Sequence, residues 1–109
     1  MKPVVKGPAA KHDIRCAAEY YKNEADAQLA AAFIDATERA AQRISSWPGS
    51  GSARFAEALN LPGLRTVALD HFPYLIFYFE RPNHLDVWRV LHTRRDIPTA
   101  LDAPLASGS

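Results

Sequence analysis

The sequence predicts one α+β domain: an N-terminal helical hairpin packed on a three- to four-stranded antiparallel sheet. Three observations carry this expectation. Apolar residues recur at spacings of three and four as far as Trp47. From Leu64 onward the chain changes to runs rich in β-branched and aromatic residues. The links between those runs, Asp70 to Pro73 and Arg81 to His84, are short enough for an antiparallel meander. A length of 109 residues with 48% hydrophobic content suits a single core, and we expect the domain to span residues 1–103 with a disordered tail over 104–109.

Taken in order, Pro3 to Lys6 reads as a short edge or opening strand, because proline cannot donate to a ladder, and Gly7-Pro8 ends it. A first helix follows from Ala9 to about Lys22, with Ile14, Ala17 or Ala18, and Tyr21 on its apolar stripe. Asn23 is the expected N-cap of a second helix, with Asp26 in its first turn. That helix is the strongest element, since Leu29, Phe33, Ala36 or Thr37, Ala40, Ile44 and Trp47 keep the 3.6-residue repeat. Pro48-Gly49 stops it, and Ser50-Gly51-Ser52 reads as a flexible connector. After Asn60 and a turn at Pro62-Gly63, strands are expected at Leu64 to Leu69, Tyr74 to Glu80 and Leu85 to His92. The stretch Tyr74 to Phe79 is apolar on both faces, which makes it central, with one face under the hairpin and the other in need of a cover. Arg94-Arg95-Asp96 closes the last strand, and Ile97-Pro98 opens a single helical turn to Leu101.

Composition narrows the classes of function. A lone cysteine, Cys16, together with no signal-peptide core and no apolar run long enough to cross a bilayer, points to a cytoplasmic protein without membrane contact. The net charge of +1 gives no global pull toward nucleic acid. Phosphate-binding glycine loops and nucleophile elbows are missing, so no cofactor is expected. His12 and Cys16 stand four apart on the first helix, a spacing compatible with a shared metal, but no second pair completes a zinc set and none is expected.

The cations carry the more informative pattern. All four lysines precede Asn23, whereas after Trp47 every positive charge is an arginine: Arg54, Arg65, Arg81, Arg89, Arg94 and Arg95. Arginine's planar fork favours bidentate bonds to carboxylate or phosphate. Strand alternation places Arg89 with Val87 and Leu91, Arg65 with Val67 and Leu69, and His92 with Trp88 and Val90. Arginines among apolar strand neighbours need a carboxylate, either internal, with Asp96 or Glu57 as the candidates, or brought by a partner. His92 is either a packed structural histidine or a general acid-base group. The strand holding Tyr78 is either core or a base-stacking platform.

The stretch from Leu64 to Leu101, LRTVALDHFPYLIFYFERPNHLDVWRVLHTRRDIPTAL, resembles the C-terminal half of the ParE/RelE toxins of type II toxin-antitoxin systems, with RVLHTRRD its most specific part. Asp13-Ile14, Ala18, Tyr20-Tyr21 and a long second helix ending in proline are similar to that family's N-terminal half. The resemblance implies a toxin held inactive by a cognate antitoxin, with operator DNA reached only through the antitoxin. In its ParE branch the implied target is DNA gyrase, and in its RelE branch the activity is mRNA cleavage on the ribosome. With no lysine after Lys22 and no tyrosine after Tyr78, the chain sits closer to the ParE branch. The expectation is therefore a binding inhibitor that contacts antitoxin or target through Arg54, Arg65, Arg89, His92, Arg94, Arg95 and Tyr78. A nuclease would use Arg65, Arg89 and His92, and a third alternative is a non-toxic remnant that merely binds its partner.

Overall fold

The computed structural model describes residues 1–94. The expected turn to Leu101 and the tail lie outside them. Strand β1 (Val4–Lys6) leads into helices α1 (Pro8–Glu24) and α2 (Ala27–Ser46). A 3-10 turn (Pro48–Ser50) and a short helix α3 (Arg54–Ala58) precede strands β2 (Leu64–Ala68), β3 (Tyr74–Glu80) and β4 (Leu85–His92). The sheet runs in the order β1-β4-β3-β2. Among the described residues, no helix is long and apolar enough to cross a membrane.

The α+β architecture matches the expectation, with one correction. The sheet is mixed, because β1 pairs with β4 in parallel, Val4 opposite Leu85 and Lys6 opposite Val87. The hairpin carries the chain away before β4 forms, so the two strands are joined by a long crossover, which permits parallel pairing. Both meander pairs are antiparallel as expected.

Local chemistry explains the helix boundaries. The N-cap of α2 is Asp26, whose Oδ1 accepts the Leu29 N–H at 2.8 Å, rather than Asn23, which continues α1. At the other end Trp47 leaves helical geometry, with φ −135° and ψ 79°, so the apolar stripe stops at Ile44. Trp47 is consequently 70% exposed instead of packed.

Helix α3 follows the expected connector, in a stretch to which the sequence assigned no element. It ends in a Schellman arrangement in which Leu61 N–H reaches the Ala56 carbonyl at 2.8 Å and Asn60 N–H reaches the Glu57 carbonyl at 3.2 Å. Asn60 supplies the left-handed residue that this motif requires, with φ 55°.

Two clusters flank the sheet. On the hairpin side Phe33, Ala36, Ala40 and Ile44 pack with Ile76, Tyr78, Val87 and Val90. On the other side Leu64, Phe77 and Leu91 are buried beneath Phe55, Leu59 and Leu61. The chain therefore supplies much of the cover that the second face of β3 needs. Ser52 bridges Thr66 through two backbone hydrogen bonds, at 2.8 and 2.9 Å, and so covers the outer edge of β2.

Because Ile44 is fully buried and Trp47 is not, Ile44→Ala is expected to cost about 2–5 kcal/mol of unfolding free energy and Trp47→Ala about 0.5 kcal/mol or less, as measured by urea denaturation.

Candidate functional site

The most buried of the predicted charged site residues among those described is Arg89, which lies beside an irregularity in the sheet. Tyr78 pairs with Val87, whereas the adjacent Phe77 pairs with Arg89, leaving Trp88 as an extra residue on β4. This β-bulge breaks the expected alternation. Val87 and Val90 both belong to the hairpin-side cluster, while Trp88 and Leu91 belong to the opposite one. Arg89 therefore does not share a face with both Val87 and Leu91, and His92 does not share one with Trp88.

The Arg89 guanidinium forms a fork with Asp13 of α1, Nε to Oδ2 at 2.7 Å and Nη2 to Oδ1 at 3.0 Å. Asp13 Oδ2 also accepts the Val90 N–H at 3.0 Å. Both side chains are more than nine-tenths buried, at 5% and 9% exposure. Asp13 is thus an internal carboxylate partner of Arg89 that the sequence did not suggest, while Asp96, one of the two expected candidates, lies outside the described residues. A charge so deeply buried needs its counter-ion, and a bidentate geometry with a third hydrogen bond offsets the desolvation of both.

Arg65 and Tyr78 work together on the turn after α2. They face each other across β2 and β3. Arg65 Nη1 donates to the Gly51 carbonyl at 2.9 Å and to the Gly49 carbonyl at 3.3 Å. The Tyr78 hydroxyl donates to the Pro48 carbonyl at 2.7 Å and accepts the Gly51 N–H at 3.2 Å. Residues 48–51 are thereby pinned to the sheet rather than flexible. Gly51 is required by close approach, since a Cβ there would stand 2.5 Å from the Tyr78 hydroxyl and 2.9 Å from the Thr66 carbonyl. Tyr78 is fully buried, so it offers a partner no surface. Burial pushes its phenol above the ordinary tyrosine value, an effect that the Gly51 hydrogen bond and the Arg65 charge partly oppose.

The remaining candidates lie elsewhere. The half-buried His92 ring packs edge-on against Tyr74 at 5.1 Å, and its Nδ1 accepts the Arg94 N–H at 3.0 Å. Arg54 is exposed, with its guanidinium 4.6 Å from the Phe55 ring centre. Arg94 is exposed, and Arg95 falls outside the described residues. Arg65 pairs with Tyr78 and His92 with Tyr74, so those rows are four residues apart on β3, roughly 13 Å along the strand. The nuclease candidates Arg65 and His92 therefore stand on well-separated rows, and all three candidates hold structural contacts inside the fold. His12 Nε2 lies 3.4 Å from Cys16 Sγ, but among the described residues no group of three His, Cys, Asp or Glu side chains could hold a metal ion.

Sequence reasoning missed Asp13 as a partner for Arg89, because 76 residues separate them and no spacing rule connects them. Removing one member of such a pair strands the other. We expect Asp13→Ala to lower stability by about 3–5 kcal/mol in denaturant titration. Tyr78→Phe is expected to cost about 1–3 kcal/mol by orphaning the Pro48 and Gly51 backbone groups. Because the folded Tyr78 phenol titrates higher than the unfolded one, its contribution is complete below the unfolded value and is lost as pH rises through the folded value. The melting temperature should therefore fall above about pH 10, and less steeply in Tyr78→Phe.

The chain matches the family model of the ParE toxin of type II toxin-antitoxin system, parDE, over residues 4–97. Among solved structures, a chain from the chromosomal ParDE TA system of P. aeruginosa superposes with a TM-score of 0.73 at 16% identity, covering 86% of this chain and 98% of that one, and so shares its fold. No curated protein matches the chain. With a family model that runs from its first strand to past its last, the chain belongs to the ParE toxin family of type II toxin-antitoxin systems.

Proposed function

We propose that this chain is the toxin of a type II toxin-antitoxin pair, that it arrests growth by binding and blocking DNA gyrase, and that a cognate antitoxin neutralises it. Family membership supports the toxin role. The observation that carries binding over catalysis is the commitment of Arg65 and Arg89 to structural partners, the one to loop carbonyls and the other to Asp13. General acid-base catalysis on RNA needs a proton acceptor and cations converging on one phosphate. His92, more than a hydrogen bond's reach from the row of Arg65, provides no such convergence.

Arg54 and Arg94 remain as exposed cations for recognition of a target's carboxylates. Arg54 keeps its guanidinium over an aromatic ring, which orients it before a partner arrives.

Two assays on the purified chain test this reading. Supercoiling by gyrase is expected to fall with added toxin and to recover with equimolar antitoxin, while mRNA in a translating extract stays whole. Cleaved mRNA with normal supercoiling would overturn it. In the supercoiling assay, Arg54→Ala is expected to raise the concentration needed for half inhibition about tenfold, as for loss of one well-placed interface arginine.

A further inference from the structure

Trp47 is the bulkiest of the exposed hydrophobic side chains among the described residues, and its exposure is built into the backbone rather than the result of a frayed helix end. The Trp47 N–H donates to the Arg43 carbonyl at 2.9 Å, and its carbonyl accepts the Ser50 N–H at 3.0 Å. Both backbone groups are therefore held while the residue leaves helical geometry and its indole stays in solvent. The segment that follows is equally fixed. Arg65 and Tyr78 hold the carbonyls of Pro48, Gly49 and Gly51, and Ser52 pairs with Thr66. Arg54 stands at the far end of this segment, with its N–H donating to Ser52 Oγ at 3.2 Å and its guanidinium held over the Phe55 ring. Among the described residues no carboxylate forms an ion pair with it. From Ile44 to Ala53 no side chain is charged.

We propose that Trp47 and Arg54 are the paired anchors of the surface that meets the target, and that the target presents there an apolar pocket with a carboxylate at its rim. The inference rests on the proposed function and deepens it by naming the face that recognises the target protein. Tryptophan and arginine are the side chains that most often dominate a protein interface, and the core of such an interface is otherwise depleted of charge, as this segment is. Burial of the indole supplies the apolar contribution. The sign of the partner follows from Arg54, whose planar fork is matched by a single carboxylate. A nucleic acid backbone would call for a row of cations, and one arginine beside an uncharged stretch does not provide it. Trp47 and Arg54 are seven residues apart in the chain. They lie no more than ~25 Å from each other, which is within the roughly 30 Å breadth of an interface of standard size. Because the segment is pinned before a partner arrives, little ordering entropy opposes binding.

The test uses the full chain with purified gyrase and the cognate antitoxin. Trp47→Ala should raise the concentration needed for half inhibition of supercoiling about thirtyfold or more, the loss expected of a dominant interface anchor. Its affinity for the antitoxin in titration calorimetry should stay at the parent's value. Arg54→Glu should lose more inhibition than Arg54→Ala, because a like charge would then face the carboxylate. Tyr20→Ala removes an exposed aromatic side chain of α1 and should inhibit like the parent. These side chains are exposed, so melting temperatures near the parent's confirm that each variant is folded. Parental inhibition by Trp47→Ala would overturn the inference and leave the proposed function intact. Weakened antitoxin binding with inhibition unchanged would assign the indole to the antitoxin and overturn it as well, as would self-association of the parent that Trp47→Ala abolishes without loss of inhibition. Equal losses in Arg54→Glu and Arg54→Ala would overturn the carboxylate partner, and a loss in Tyr20→Ala as large as in Trp47→Ala would overturn the assignment of this face. Failure of the parent chain to inhibit gyrase would instead defeat the proposed function, and this inference with it.

Discussion

The ion pair between Arg89 and Asp13 is the constraint on which the arrangement of helices and sheet depends. It joins α1 to β4 at the bulge, where the irregular pairing puts Arg89 opposite Phe77. The Asp13 carboxylate also takes the Val90 N–H, so one side chain satisfies both the buried charge and a backbone donor next to the bulge. An α1 rotated or shifted by one residue would break the two-bond fork between Asp13 and the buried Arg89 guanidinium. A hydrophobic stripe as thin as Ala10, Ile14, Ala17 and Tyr21 tolerates such shifts, whereas a bidentate fork does not. The pair thus fixes register more than it adds net stability.

A second set of polar anchors serves the same end on the far side of α2. Arg65 and Tyr78 hold the carbonyls of residues 48, 49 and 51, and Ser52 joins β2. The segment is thereby aimed so that α3 crosses the second face of the sheet and lays Phe55 and Leu59 over Phe77 and its neighbours. Two of the arginines that looked available for chemistry are used to build the scaffold. Arg54 and Arg94 stay exposed at its surface, where the proposed recognition of a target would take place.

The sequence made the hairpin and the meander legible because each rests on a periodicity that a single chain displays. Ile44 and Phe33 repeat at helical spacing, and the aromatic run of β3 could only be central. The rest depends on contacts with no local signature. A three-residue strand such as β1 does not reveal its direction, so its parallel pairing with β4 came as a correction. Asn23 and Asp26 can both cap a helix, and the choice turned on how far α1 continued. An inserted residue at Trp88 leaves regular alternation in the sequence while changing which side chains share a face. The identity of Asp13 as partner to Arg89 required the tertiary fold.

The most direct test of the claim that Arg89 serves the scaffold rather than the toxin's chemistry is a paired substitution, Asp13→Asn with Arg89→Gln, assayed for growth arrest on expression without antitoxin. The neutral pair retains an acceptor for the Val90 N–H and removes both charges. Growth arrest at the parental level in a folded double variant is the expected result. Loss of arrest with an unchanged melting temperature would contradict the account, because it would show that the Arg89 charge acts on the target.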